Sequence, residues 1–260
     1  MQLVVADANV LLAGLIDPNS IYRKLLVVFA YGKLHADLAS AESYREEIEQ
    51  LIAENPGARF GGQPDPDEVV RLARERIALL DEHLPAMTPS RWGLVTSSAI
   101  TKEVHDVCVG GRSGFGPLPG TIAQAAVAAA VAISATQAIQ GLEGPIPAYT
   151  QGRDADDDKV IHTAILAGAE WVLSEDHSHV SLERRRPTVY REPVTARETG
   201  AIGAWYFINR LLCTGLHFDN DALRSIDGSV LTFALQAIAA TANRRSPAAL
   251  AADPSAHRRR

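Results

Sequence analysis

Four carboxylates in five residues, Asp154-Ala155-Asp156-Asp157-Asp158, open an apolar-periodic segment, Val160-Ile161-His162-Thr163-Ala164-Ile165-Leu166. Gly168 ends that segment, and Trp171-Val172-Leu173-Ser174 follows as a short buried strand that delivers Ser174-Glu175-Asp176. A second apolar run, Leu3-Val4-Val5-Ala6, ends in Asp7. Carboxylates gathered at one place repel one another unless a cation sits among them. An all-oxygen donor set selects Mg²⁺ or Mn²⁺ over zinc. Such an ion keeps several waters and suits activation of one of them against a phosphodiester.

Positioning these acids requires strands that end at a common edge. Strand and helix alternate at the front of the chain, and helix precedes strand at the back, which predicts an α/β fold with an open parallel sheet and helices on its faces. In such sheets the site lies outside the carboxyl ends of the strands. Asp7 and Asp176 fall just past strand ends, and Asp157 sits at a helix start, where amide groups and dipole favour an anion. Asp157 shares a helical face with Ile161 and Ala164, which turns it inward.

Between these pieces, Ser20 caps a helix from Ile21 to about Ala30, with Gly32 as its stop. Leu34-His35-Ala36-Asp37-Leu38-Ala39 alternates and predicts a second strand, after which Ser40 caps a helix whose apolar face is Tyr44, Ile48, Leu51 and Ile52. Asp65-Pro66-Asp67-Glu68 opens a further helix through Leu84. Gly93 to Ser97 predicts another strand leading into a helix with Ile100, Glu103, Val104 and Val107. Gly110 to Gly116 is a flexible lid or linker, and Thr121 to Gln140 is an alanine-rich helix that packs inside the fold or against a partner subunit of a homo-oligomer. Leu182 to Arg197 is charged and irregular. Helices are expected over Ala201 to Cys213 and Asp221 to about Thr241, with a disordered tail at 243–260.

At 260 residues the chain can bury a sizeable core, and a net charge of −6 excludes a global positive field for nucleic acid or anionic membrane. Cys108 and Cys213 are too few for a disulfide framework and are expected as buried reduced thiols. The N-terminus lacks a basic region ahead of its apolar run, and Ala125 to Ala135 is too short to span a bilayer. A cytoplasmic protein with no membrane partner is the expectation.

Three pieces together resemble the PIN-domain family, metal-dependent ribonucleases with a small Rossmann-like fold. They are Val4-Val5-Ala6-Asp7-Ala8-Asn9-Val10-Leu11, Arg153-Asp154-Ala155-Asp156-Asp157-Asp158-Lys159 and Ala169-Glu170-Trp171-Val172-Leu173-Ser174-Glu175-Asp176. The resemblance implies Asp7 as first metal ligand, Asp157 as third acid, with Asp156 its substitute, and Asp176 as fourth. It implies that Asn9 braces the Asp7 loop and that Ser174 hydrogen-bonds near the metal or the phosphate. The family's second acid is a Glu one turn into the helix after strand two. Glu47 is the preferred candidate, Glu46 its neighbour if the register slips by one, and Glu103 the alternative. The implied organisation is a PIN-like domain over 1–181 with a helical insertion at about 55–150, then a helical extension over 182–242. The implied activity is Mg²⁺- or Mn²⁺-dependent cleavage of single-stranded RNA. Bacterial members are often toxins held by an antitoxin protein, although the insertion and extension depart from compact toxins.

Other readings of the same residues carry less. An EF-hand loop fails because its sixth position is Lys159 and its twelfth Ile165. His177 and His179 beside Asp176 have no cysteine partner for a zinc site, and read as surface residues. Arg184-Arg185-Arg186 reads equally as a phosphate grip and as a solvated turn. Gly110 to Gly116 lacks the Lys-Ser/Thr of a phosphate loop. The rival functions are a catalytically inactive PIN-like domain binding RNA or protein, and a metal-dependent phosphatase.

Overall fold

The structure, a computed structural model, describes residues 1–16, 20–56, 62, 64–81, 91–111, 117–135, 139, 145–150, 155–175 and 188–208. Five strands form one sheet: β1 (Gln2–Ala6), β2 (Trp92–Val95), β3 (Trp171–Ser174), β4 (Thr188–Arg191) and β5 (Glu198–Gly203). Their order is β2-β1-β3-β5-β4, parallel throughout except for β4, which runs antiparallel at one edge. Consecutive residues Val4, Val5 and Ala6 are all buried, so both faces of the central strand are covered, as expected of a parallel sheet. The α/β expectation holds. No helix among the described residues is long and apolar enough to cross a membrane.

The helices are α1 (Ala8–Ile16), α2 (Ile21–Glu54), α3 (Pro66–Asp81), α4 (Ser98–Gly110), α5 (Gly120–Ala132) and α6 (Ala155–Ala167). Ser20 caps α2 as expected, its side chain accepting from the Arg23 amide at 3.2 Å. Beyond that the front of the chain differs from expectation. Gly32 does not stop α2, Leu34 to Ala39 is not a strand, and Ser40 lies inside the helix. The physical reason is a longer period overriding a short alternation. Val27, Tyr31, Leu34 and Leu38 recur at intervals of four and three and cluster with Ile77 of α3, a heptad-like seam that six alternating residues cannot outweigh. The strand following the first helices is therefore β2, at Trp92–Val95, where a further strand was expected. Between α1 and β2 the chain forms the hairpin of α2 and α3.

The back of the chain differs as well. Leu182 to Arg197 contains β4, and Ala201 belongs to β5; the helix expected from Ala201 begins at Ala204, and its positions from 209 lie outside the described residues. Both strands complete the main sheet, so the stretch from 182 is not wholly a helical extension. The helix α5 is shorter than Thr121 to Gln140. After Ala132 the chain runs beside β2 through bridges Leu94–Ser134 and Ser97–Ile139. Cys108 is a buried free thiol, held above its usual range by burial. Cys213, the helix from Asp221 and the tail lie outside the described residues.

Candidate active site at the carboxyl edge of the sheet

The strand order reverses direction at β1: the chain moves from β1 to β2 on one side and later returns with β3 on the other. The crevice outside the carboxyl ends of β1 and β3 is thus the place where such sheets bind ligands. Asp7 stands there, 5% exposed, immediately ahead of α1. Its amide extends the sheet by donating to the Leu173 carbonyl at 2.8 Å. The Ala8 amide donates to its Oδ1 at 2.7 Å, while Asn9 Nδ2 and Ser174 Oγ each donate to its Oδ2 at 2.8 Å. Asn9 also reaches Ser174 Oγ at 3.4 Å. Four donor contacts therefore lock the carboxylate and its hydroxyl partner in one orientation, and the helix start favours the charge.

The pleat fixes what else shares this row. Val5 pairs with Val95 and Ala6 with Leu173, so Asp7, Ser97 and Ser174 continue three neighbouring strands on the same face. Ser97 caps α4 by accepting from the Ile100 amide. It also receives the hydroxyl of Thr163 from α6 at 3.0 Å, fully buried. That bond shows α6 lying over this face. Because α6 leads into β3, its first turn is at the carboxyl edge, and Asp157 begins about 9 Å of helix beyond Thr163.

The acid cluster separates by helical phase. Asp157, half-buried, shares its face with Ile161 and Ala164, both fully buried. Asp156 is exposed and paired with Lys159 at 2.5 Å. Asp158 is buried and structural, its Oδ1 accepting the Thr150 amide at 2.7 Å and the Thr150 hydroxyl at 2.9 Å. Neighbouring Tyr149 contacts His162 Nδ1 at 2.9 Å. The Tyr149 hydroxyl is pushed up to about 12 by burial first and then by the charges of Glu192 and Asp158. Glu192, just past β4, is lowered mainly by hydrogen bonds from Thr195, with His162 adding to the effect.

Glu103 is half-buried on α4, six residues after Ser97. It lines a cleft of about 550 Å³ between α4 and α6, together with Lys102, Asp106, Ile146, Asp156 and Lys159. Lys102 is raised chiefly by its bond with Asp106, and the charge of Asp156 contributes too, so the two walls face each other closely. Glu47 and Glu46 are exposed on α2. Tyr22, near the start of that helix, bonds with Glu175 at the exit of β3; burial first and then this acid raise the tyrosine. Glu47 is 25 residues further on, about 38 Å along the axis. The structure brings Asp7, Asn9, Ser174 and the start of α6 to one edge, with Glu103 in the adjoining cleft. It does not bring Glu47 or Glu46 there.

Asp176, Asp154, His177, His179 and Arg184 to Arg186 lie outside the described residues. Among those described, no group of three or more His, Cys, Asp or Glu side chains forms a metal site. The donor chemistry nevertheless suits a hard cation: the acids gathered at this edge offer only oxygen. Sequence reasoning missed the Ser97–Thr163 and Thr150–Asp158 pairs. The signal for the first was Ser97 at a strand-to-helix boundary, a capping position. Compared with family models, curated proteins and solved structures, the chain finds no match in any of the three.

Proposed function

We propose that this chain is a Mg²⁺- or Mn²⁺-dependent endoribonuclease of PIN type, acting on single-stranded RNA. The observation that carries the reading is the buried carboxylate of Asp7, braced by Asn9 and Ser174 at the switch point of a parallel sheet. The start of α6 above it would supply the third acid, Asp157. Asp7 and Asp157 would hold the ion, with Asp176 completing the set and Glu103 taking the place first assigned to Glu47. When bound, the ion supplies an activated water and offsets charge developing on the phosphate oxygens.

The chain's own residues have simpler tasks. Ser174 and Asn9 fix the orientation of Asp7, so that little of its order must be gained on binding. The half-buried Glu103 is placed to orient a water or accept its proton. Lys102 and Lys159, on opposite walls of the cleft, are placed to meet phosphates. The toxin role and an antitoxin partner remain part of the reading through the family resemblance alone.

The test is cleavage of a mixed single-stranded RNA by purified protein with Mn²⁺, with a phosphomonoester assay alongside. Cleavage lost in Asp7→Asn and in Asp157→Asn, and by chelation, supports the reading. Cleavage unaffected by both substitutions, or turnover of the phosphomonoester alone, sinks it.

A further inference from the structure

The cleft between α4 and α6 carries more acid than phosphate binding calls for. Ala99, Lys102, Glu103, Asp106, Val107 and Gly110 recur at steps of three and four, so one face of α4 forms a continuous wall. The residues this helix buries in the core are others, Ile100, Val104 and Cys108. Asp156 and Lys159 of α6 also line the cleft, and Ile146 adds apolar surface. The volume of about 550 Å³ is that of a small-ligand pocket, with room for one unstacked nucleotide.

The lining holds three carboxylates, on Glu103, Asp106 and Asp156, against two ammonium groups, on Lys102 and Lys159. Each ammonium is paired, Lys102 with Asp106 at 3.0 Å and Lys159 with Asp156 at 2.5 Å. An ammonium has three donors, so each lysine keeps some for a phosphate. The carboxylates add an excess of acceptors, and an acceptor-rich wall selects a ligand that donates. Phosphates only accept, and ribose hydroxyls are common to all four nucleotides. Adenine, cytosine and guanine each carry an exocyclic amino group that donates, where uracil carries a carbonyl. Asp106 is exposed, and its bonds with Lys102 and then His105 hold its carboxyl below the usual range, so it stays an acceptor. Gly110, on the same face, adds no side chain, and a Cβ there would enter open space. This bare backbone, with Val107 and Ile146, offers a ring an apolar surface.

We propose that this cleft is a subsite for one unpaired nucleobase bearing an exocyclic amino group, with Asp106 as the residue that reads that group. The inference rests on the ribonuclease reading for the source of the base, and adds a preference to it. RNA is taken at adenine, cytosine or guanine and passed over at uracil. A base presents its amino edge to such a wall only after leaving its stack, which requires a single strand. Lys102 and Lys159 meet the phosphates while Asp106 meets the base, so one cleft holds both parts of a nucleotide.

Titration of the full chain with cytidine and uridine, followed by saturation-transfer NMR, tests the subsite. Both are neutral, need no metal, and differ at the group in question. Cytidine is expected to bind about tenfold more tightly than uridine. Asp106→Asn can donate as well as accept, and should bring the two within about threefold of each other. Gly110→Leu should abolish cytidine binding by placing a side chain in the cleft. Its Cβ meets no atom within 4 Å and leucine is the better helix former, so the melting temperature should not fall. Equal binding of the two nucleosides, binding of neither, a cytidine preference that survives Asp106→Asn, or full affinity in Gly110→Leu overturns the proposal. Cleavage in Mn²⁺ is read separately. Cytidine-selective binding by a chain that cuts no RNA overturns the nuclease and leaves the subsite. Asp7-dependent cleavage without nucleoside selectivity overturns the subsite alone.

Discussion

Replacing Glu47 and Glu103 separately by glutamine separates the two candidates for the second acid. Glu47 lies about 38 Å of helix from Tyr22, whose hydroxyl bonds with Glu175 at the site edge. A unit charge at that range interacts in water by about 0.1 kcal/mol before screening. With a screening length of about 8 Å, less than a hundredth of that survives. Since about 1.4 kcal/mol is a tenfold change, Glu47→Gln should leave cleavage unchanged within twofold. Glu103 lines the cleft beside Asp156 and Lys159, where loss of a group that orients water or takes a proton should cost about 100-fold. Single-turnover cleavage of a labelled single-stranded RNA in Mn²⁺ measures both. A tenfold loss in Glu47→Gln, or full activity in Glu103→Gln, refutes the placement of the second acid on α4.

Three further outcomes test the fold around the site. Asp158→Ala removes the acceptor of two buried hydrogen bonds from Thr150, and should cost about 3 kcal/mol by urea unfolding at unchanged m-value. A loss under about 0.5 kcal/mol would return Asp158 to the role of solvated charge. Gly200→Ala places a Cβ 2.6 Å from the Trp171 ring and should destabilise by about 1–3 kcal/mol through overpacking, read as a lower urea midpoint. Tyr149 has its folded pKa raised to about 12, so its contribution to stability is present below the unfolded value of about 10 and is lost as pH rises towards 12. Absorbance titration of Tyr149→Phe should lack one late-titrating phenol, and its stability should fall less steeply above pH 10 than that of the parent.

Much of the sheet was legible because its strands are short apolar runs ending in polar residues. Leu3 to Ala6, Gly93 to Val95 and Trp171 to Ser174 all lie in strands, and alternating helices forced them parallel. The edge pair was not legible. Thr188-Val189-Tyr190-Arg191 is half-polar, as suits an exposed edge strand, and it adjoins an arginine-rich stretch. Glu198 to Gly203 holds two glycines, and one of them, Gly200, exists to clear the Trp171 ring. Small residues there mark a close approach that no local pattern announces. The second strand was misplaced for a different reason. Leu34, Ala36 and Leu38 satisfy a period of two, but Leu34 and Leu38 equally satisfy the seam that begins at Val27. A six-residue window contains too little sequence to choose between those periods, and the partner that decides, Ile77, lies on another helix.

The acid cluster shows the same principle at a finer scale. As a string, Asp156-Asp157-Asp158 is three equal charges, and only helical phase tells them apart. On a helix, successive side chains differ by about 100°, so three neighbours cannot share a task. Asp157 is in phase with Ile161 and Ala164 and turns to the sheet, Asp156 turns with Lys159 to the cleft, and Asp158 turns to Thr150. One carboxylate faces the sheet, one lines the cleft, and one holds the segment that carries Ile146. Shifting this phase by a single residue would exchange all three roles at once. Inserting an alanine between Lys159 and Val160 should then leave the count of acids unchanged and still disturb cleavage more than Asp156→Asn does, because orientation and not charge number selects the ligand. Equal activity in the two variants would mean that the cluster acts as a diffuse field.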